Sequence, residues 1–175
     1  MSSTIVADIP FPRWAYVPGP GQSPDLTTLD AVKFHVPVRY EDCVPSGDVA
    51  SLYGLALNDA GFFWESHEVL EAVWKAAPKG GCDRILLRAF IQIANANLKL
   101  KMDRPNAARR LLQEAHSELL ELASRKLRGP LGGLAHEFDA SLLRLAIAKR
   151  QQAIEAFEAS APIPATKCMF LQISR

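Results

Sequence analysis

The segment Trp64-Glu65-Ser66-His67-Glu68-Val69-Leu70-Glu71-Ala72-Val73-Trp74 decides the fold class of this chain. At about 100° per residue, its apolar side chains gather on one side of a helix and its carboxylates on the other. His67 falls at the boundary between the two sides, flanked by the indole of Trp74 and the carboxylate of Glu71. The segment therefore predicts an amphipathic helix that carries groups capable of acid/base chemistry or metal binding.

Helical periodicity extends on both sides of this segment and is interrupted by residues that end helices. Asp48 and Asp83 can cap helices, and Pro105 suits a first helical turn. The pattern predicts five helices, at about 48–60, 62–77, 83–102, 105–126 and 137–160. Five helices with short connections predict an all-α fold, an antiparallel multi-helix bundle.

The first 47 residues have a different character, because seven of the twelve prolines lie among them. Proline spacing of this kind excludes a regular helix and predicts an extended Pro-rich arm over 1–47. Its aromatic residues Phe11, Trp14 and Tyr16 should dock on the helical body or on a neighbouring subunit. Loose alternation at 31–40 and 168–173 predicts short strands. The expected organisation is the arm, a helical domain over 48–161 and a tail over 162–175.

Composition narrows the class of protein. The chain has 175 residues, enough for one domain, and its 20 Lys/Arg nearly cancel its 19 Asp/Glu. Three cysteines at wide spacing predict a reduced, cytoplasmic protein, and neither a signal peptide nor a membrane span is expected. Arg109-Arg110 and the cluster at 125–128 lack interleaved aromatic residues, so nucleic-acid binding is not expected.

The third predicted helix carries a polar stripe that could face the motif helix. Within about 80° of its circumference lie five polar side chains: Arg84, Arg88, Gln92, Asn95 and Lys99. The simplest pairing sets Arg88 or Arg84 against Glu71 or Glu68. Gln92 and Asn95 would then satisfy His67.

Three interpretations of these groups remain open. The preferred one is a binding or interaction module, in which the His-Glu/Arg network between the helices is structural. The second is a small enzyme or anion-binding protein, with His67, Glu71 and Glu68 as catalytic groups. In it, Arg84, Arg88, Gln92, Asn95 and Trp74 bind the ligand. The third is a metal-dependent hydrolase using the His67/Glu71 pair, for which the sequence does not display a full ligand set. No cofactor is identified.

The motif also resembles a known family. The pattern Glu-x-His-Glu-x-x-Glu-x-x-Trp beginning at Glu65, with Gln92 in the next helix, is similar to that of domain-of-unknown-function family 309, small helical proteins of bacteria and archaea. The likeness covers about 48–127 and departs at Leu70, where the family often has Trp, and at Asp103, where it often has Gly. The resemblance implies an all-helical fold and brings no established activity.

Self-association is a further expectation. The arm and the fifth predicted helix offer more apolar surface than one small bundle hides. The apolar residues of that helix are Leu142, Leu143, Ile147, Ile154 and Phe157. A homo-oligomer is therefore predicted, together with a small anionic ligand as a possible partner.

Overall fold

A computed structural model describes residues 9–126 and 132–158, apart from the side chains of Lys126, Phe157 and Glu158. Within these residues the protein is all-helical and contains no strand. The helices are α1 (Leu26–Lys33), α2 (Val49–Asp59), α3 (Phe63–Ala76), α4 (Cys82–Lys101), α5 (Pro105–Lys126), a 3-10 turn (Leu134–Glu137) and α6 (Ala140–Glu158). None of the helices in the described ranges is long and apolar enough to cross a membrane.

Helices α2 to α6 correspond to the five predicted from sequence, with ends that differ by a few residues. Asp48 caps α2 as expected, because its carboxylate accepts a hydrogen bond from Ser51 N at 2.8 Å. Gly61 follows α2 with φ +89°, a conformation that favours glycine and ends the helix. The predicted capping role of Asp83 is wrong. Gly81 occupies the cap of α4, and Asp83 lies within the first turn of that helix with its side chain buried.

The prediction that the arm contains no regular helix is wrong at α1. Pro24 and Pro37 leave a proline-free window between them, long enough for an eight-residue helix. Leu29 and Val32 of α1 are fully buried, so tertiary packing stabilises this short helix. The strand predicted at 31–40 is wrong for the same reason, and the one at 168–173 lies outside the described residues.

Helix α4 lies between α3 and α5, and α6 packs on α5. The inward face of α4 contributes Leu86, Leu87 and Ile93, all essentially inaccessible to solvent. Helix α3 also packs against α2 and α1, so its two sides meet different neighbours. The side of α3 that carries His67 therefore lies beside α1 and not at the contact between α4 and α5.

The arm lies on α2 and α3. The ring of Phe11 packs 5.8 Å from that of Tyr53 and 5.5 Å from that of Phe62, measured between centroids. The rings of Tyr16 and Trp64 meet edge to face at 5.0 Å. These contacts remove aromatic surface from water, which is the stabilisation expected for an arm of this composition.

Candidate functional site

One turn of α3 brings His67, Glu68 and Glu71 together at the surface. Each offers a nitrogen or oxygen donor atom, and the three atoms lie within 4.8 Å of one another. All three side chains are half-buried, because the spacing i, i+1, i+4 places them along the edge of the apolar face. This is the only such group of three or more His, Cys, Asp or Glu donors in 9–126 and 132–158.

The environment of His67 favours its neutral form. Burial lowers the pKa of His67, although the nearby carboxylates of Glu68 and Glu71 act in the opposite direction. Its Nδ1 is buried and has no hydrogen-bond partner in the described part of the chain. A neutral imidazole with an uncommitted nitrogen can act as a base or bind a metal ion.

Lysines hold the two carboxylates. Lys33 Nζ of α1 lies 2.9 Å from Glu68 Oε2, and Lys75 Nζ lies 3.0 Å from Glu71 Oε2. Sequence reasoning did not identify either lysine as part of the site. Lys75 could have been found, because it lies four residues after Glu71 on the same helix. Lys33 could not, since it belongs to the helix that the sequence did not predict.

The predicted pairing between α3 and α4 is wrong. Arg88 Nε lies 3.1 Å from Glu118 Oε1, and Gln92 Nε2 donates to Glu114 Oε2 at 2.6 Å. Both acceptors belong to α5, so this part of the polar stripe faces α5. No hydrogen bond joins Asn95 to His67 within the described ranges. The structural network expected around His67 is therefore not formed by these residues.

Arg84 and Trp74 join the end of α3 to the start of α4. The guanidinium of Arg84 lies 4.0 Å from the centroid of the Trp74 ring. It also donates to the carbonyls of Trp74 and Ala77, at 2.7 and 2.9 Å. These carbonyls are among those that the end of a helix leaves unpaired. Trp74 Nε1 is buried and, in the described residues, has no hydrogen-bond partner.

Glu65, one turn before Glu68 on α3, is fully buried and anchors the arm. Its Oε1 accepts a hydrogen bond from the backbone N–H of Tyr16 at 2.6 Å. Burial raises the pKa of Glu65, and the bond from Tyr16 opposes this shift. The motif thus contains carboxylates with two roles, since Glu65 binds the arm while Glu68 and Glu71 face the histidine.

Asp83 is a second buried carboxylate that the sequence did not single out for this purpose. Its oxygens accept hydrogen bonds from Val44 N at 2.8 Å and from Ala135 N at 2.7 Å. Gly133 lies against it, because a Cβ added there would stand 2.7 Å from Asp83 Oδ2. Asp83 therefore links the start of α4 to the segment that contains Val44 and to the segment that contains Ala135.

The comparison with known proteins concerns the part of the chain that contains this site. No curated protein and no solved structure matches the chain. A family model described as Domain of unknown function (DUF309) matches residues 52–111. That segment includes most of α2, all of α3 and α4, and the first turns of α5. The family model thus confirms the resemblance to DUF309 over the segment that carries His67, Glu68 and Glu71.

Proposed function

We propose that this protein binds a divalent transition-metal ion through His67, Glu68 and Glu71. The observation that carries the proposal is the approach of their three donor atoms to within 4.8 Å of one another. Around a tetrahedral ion with bonds of about 2.1 Å, donor atoms stand about 3.4 Å apart. Rotation of the side chains can bring the donor atoms this close together, because all three residues are partly exposed to solvent.

The protonation state of the site supports the same function. A ligating histidine must be neutral, and burial lowers the pKa of His67, so little proton release accompanies binding near neutral pH. Two carboxylates and a neutral imidazole carry two negative charges in total, which match the charge of a divalent ion. One nitrogen with two oxygens is a donor set suited to zinc and similar ions.

The lysines do not block the site. The pairs Lys33–Glu68 and Lys75–Glu71 are partly exposed to solvent. Such ion pairs stabilise a protein by about 0–1 kcal/mol each, far less than the free energy of binding a metal ion through three ligands. Released lysines would remain beside the ion, where they can bind an anionic group of a substrate.

Three protein ligands leave a coordination position for water, as in hydrolytic zinc sites. Hydrolysis is therefore the reaction class that this site supports. The sequence predicted that Arg84 and Arg88 bind the ligand. In the structure both contact other protein groups, Arg84 the carbonyl of Trp74 and Arg88 the carboxylate of Glu118. Lys33 and Lys75 replace them in this proposal as the cations next to the site.

The test is a calorimetric titration of tag-free protein with Zn²⁺ and Mn²⁺. The parent should bind one ion per chain, and His67→Ala should abolish binding. Glu68→Gln and Glu71→Gln should each weaken it. Exposed residues of the same types supply the matched controls, His35→Ala and Glu155→Gln, which should bind as the parent does. Equal binding by His67→Ala and His35→Ala would refute the proposal.

A second proposal, self-association, rests on the outer face of α6. Leu142 and Leu145 leave 65% and 52% of their surface exposed, one turn apart on that helix. An apolar pair at this spacing is typical of a helix face that contacts a partner. Sedimentation should show a homo-oligomer that dissociates in Leu142→Gln/Leu145→Gln. Val38→Gln, at a fully exposed position outside α6, is the control and should leave the assembly intact.

A further inference from the structure

A cavity of about 520 Å³ lies at the turn between α4 and α5, on a different part of the chain from the histidine site. Its lining consists of seven consecutive or nearly consecutive residues: Asp103, Arg104, Pro105, Asn106, Ala107, Arg109 and Arg110. Three arginines and one aspartate thus contribute to the lining. The cavity is lined by an excess of positive charge in a protein whose overall net charge is only +1.

Nearby charges add to this excess. Lys99 lies in the last turn of α4, just before the cavity residues, whereas the ammonium of Lys101 lies over the Phe63 ring, 5.8 Å from its centroid. Arg104 and Arg110 are exposed and form no ion pair with any residue in the described ranges. Arginines without an ion-pair partner raise the local concentration of anions. The guanidinium group also offers paired N–H donors that match the oxygens of a phosphate.

The first turn of α5 presents backbone N–H groups at the cavity. Arg104 O accepts the hydrogen bond from Ala108 N at 3.1 Å, so Arg104 stands where a capping side chain is usually found. Arginine has no acceptor with which to cap the helix. The N–H groups of Asn106 and Ala107 therefore lack a side-chain acceptor in the described part of the protein. Helices α1, α3 and α4 also lack a side-chain cap, whereas α2 has Asp48 in this role.

We propose that this cavity binds the phosphate groups of a small phosphorylated molecule, through Arg104, Arg110 and the free N–H groups of the first turn of α5. The volume lies within the range of about 300–1,000 Å³ typical of small-molecule sites, which exceeds the space that one phosphate fills. Arg109 donates a hydrogen bond to Asn106 Oδ1 at 3.1 Å, so the proposal assigns the direct contacts to Arg104 and Arg110. The assignment does not depend on metal binding at His67.

The experiment is a ¹⁵N NMR titration of the full chain with inorganic phosphate, pyrophosphate and a nucleoside diphosphate. Pyrophosphate should shift the amide signals of Asn106 and Ala107 with a saturating dependence on its concentration. Arg104→Gln/Arg110→Gln should weaken binding by about tenfold or more. Arg39→Gln/Lys149→Gln removes the same charge from exposed positions elsewhere and should weaken it much less. Helix content by circular dichroism verifies that both variants fold.

Three results would overturn the assignment. They are an absence of saturating shifts at Asn106 and Ala107, equal weakening by the two double variants, and shifts spread evenly over the surface. The relative affinities identify the ligand further. Tighter binding of the nucleoside diphosphate than of pyrophosphate supports an organic phosphate, whereas equal binding supports a free phosphate or diphosphate. Loss of zinc binding in His67→Ala should leave this titration unchanged.

Discussion

His67 buries a polar nitrogen without a hydrogen-bond partner among the described residues, and such burial lowers stability. An unsatisfied group of this kind is consistent with a residue retained for binding, because stability is commonly sacrificed at functional sites. Had His67 belonged to a closed structural network, the neighbouring helices would have supplied its acceptors and donors. The structural interpretation therefore predicts that replacing His67 lowers the free energy of unfolding. The metal-binding interpretation predicts that it does not.

His67→Leu should leave the free energy of unfolding within about 1 kcal/mol of the parent value, or raise it, when a chelator is present. The reason is that leucine fills similar space without a buried polar atom. Zn²⁺ at 100 times its Kd should stabilise the parent by about 2.7 kcal/mol and leave the variant unchanged. Urea denaturation measures both quantities. A large loss in the presence of chelator would favour the structural interpretation.

Asp83 provides a test of buried charge away from this site. Burial raises the pKa of Asp83 above its ordinary value of 3.8, although the bonds from Ala135 N and Val44 N act against the shift. The folded protein therefore holds this proton more tightly than the unfolded chain does. The stability contributed by Asp83 is present below pH 3.8 and falls as the pH rises through its raised pKa.

Comparison with Asp83→Asn isolates this effect, because other carboxyl groups are common to both proteins. The parent should be the more stable at low pH, and its advantage should shrink as the pH increases from about 3 to about 7. Urea denaturation across this range measures the difference. An advantage that grows with pH would mean that the hydrogen bonds to the carboxylate outweigh its burial.

At the scale of helices, α2 and α3 approach closely at Gly54. A Cβ added to Gly54 would stand 2.8 Å from Cγ and Cδ2 of Leu70, a fully buried side chain. Gly54→Ala should therefore destabilise the protein by roughly 1–2 kcal/mol, because overpacking exceeds the gain of about 1 kcal/mol in helix propensity. Thermal denaturation provides the measurement, with Gly132→Ala, in open space, as the control.

A double variant separates the packing effect from other causes. Gly54→Ala/Leu70→Ala should be more stable than the sum of the two single changes indicates, since the methyl group enters space that Leu70 vacates. Strict additivity would show that the two helices do not meet as closely as the structure describes.

The docking of the arm is also a property of elements, and Glu65 is its anchor. Glu65→Ala should accelerate hydrogen exchange of the Tyr16 amide by about tenfold or more, because the acceptor of that N–H is removed. Glu71→Ala, on the same helix but facing away from the arm, should have little effect. Equal exchange in the two variants would show that Glu65 does not hold the arm.

Much of the helical organisation could be predicted from the sequence, because its determinants are local. Asp48, Gly61 and Pro105 mark helix ends through properties that each residue has by itself. Helix α1 was missed because prolines on both sides concealed a short window that packing stabilises. Arg88 was assigned to the wrong partner because a helical wheel shows a polar stripe without showing which neighbour it meets. Its partner Glu118 lies 30 residues away in the sequence.

At the scale of the whole molecule, α4 separates two environments. On one side, its polar stripe meets carboxylates of α5, and those groups are already paired. On the other side, α3 presents His67, Glu68 and Glu71 beside α1, where lysines are the ion-pair partners of the two carboxylates among the described residues. The basic cavity between α4 and α5 lies at the end of α4. The layout therefore separates the proposed site for a cation from the proposed site for an anion.

The position of a bound ion tests the central claim most directly. Anomalous diffraction at the zinc edge, from crystals grown with Zn²⁺, should show one strong peak about 2.0–2.2 Å from a nitrogen of His67 and an oxygen each of Glu68 and Glu71. The peak should be missing from crystals of His67→Ala grown in the same way. A strong peak bound elsewhere, with none at these three residues, would contradict the proposal.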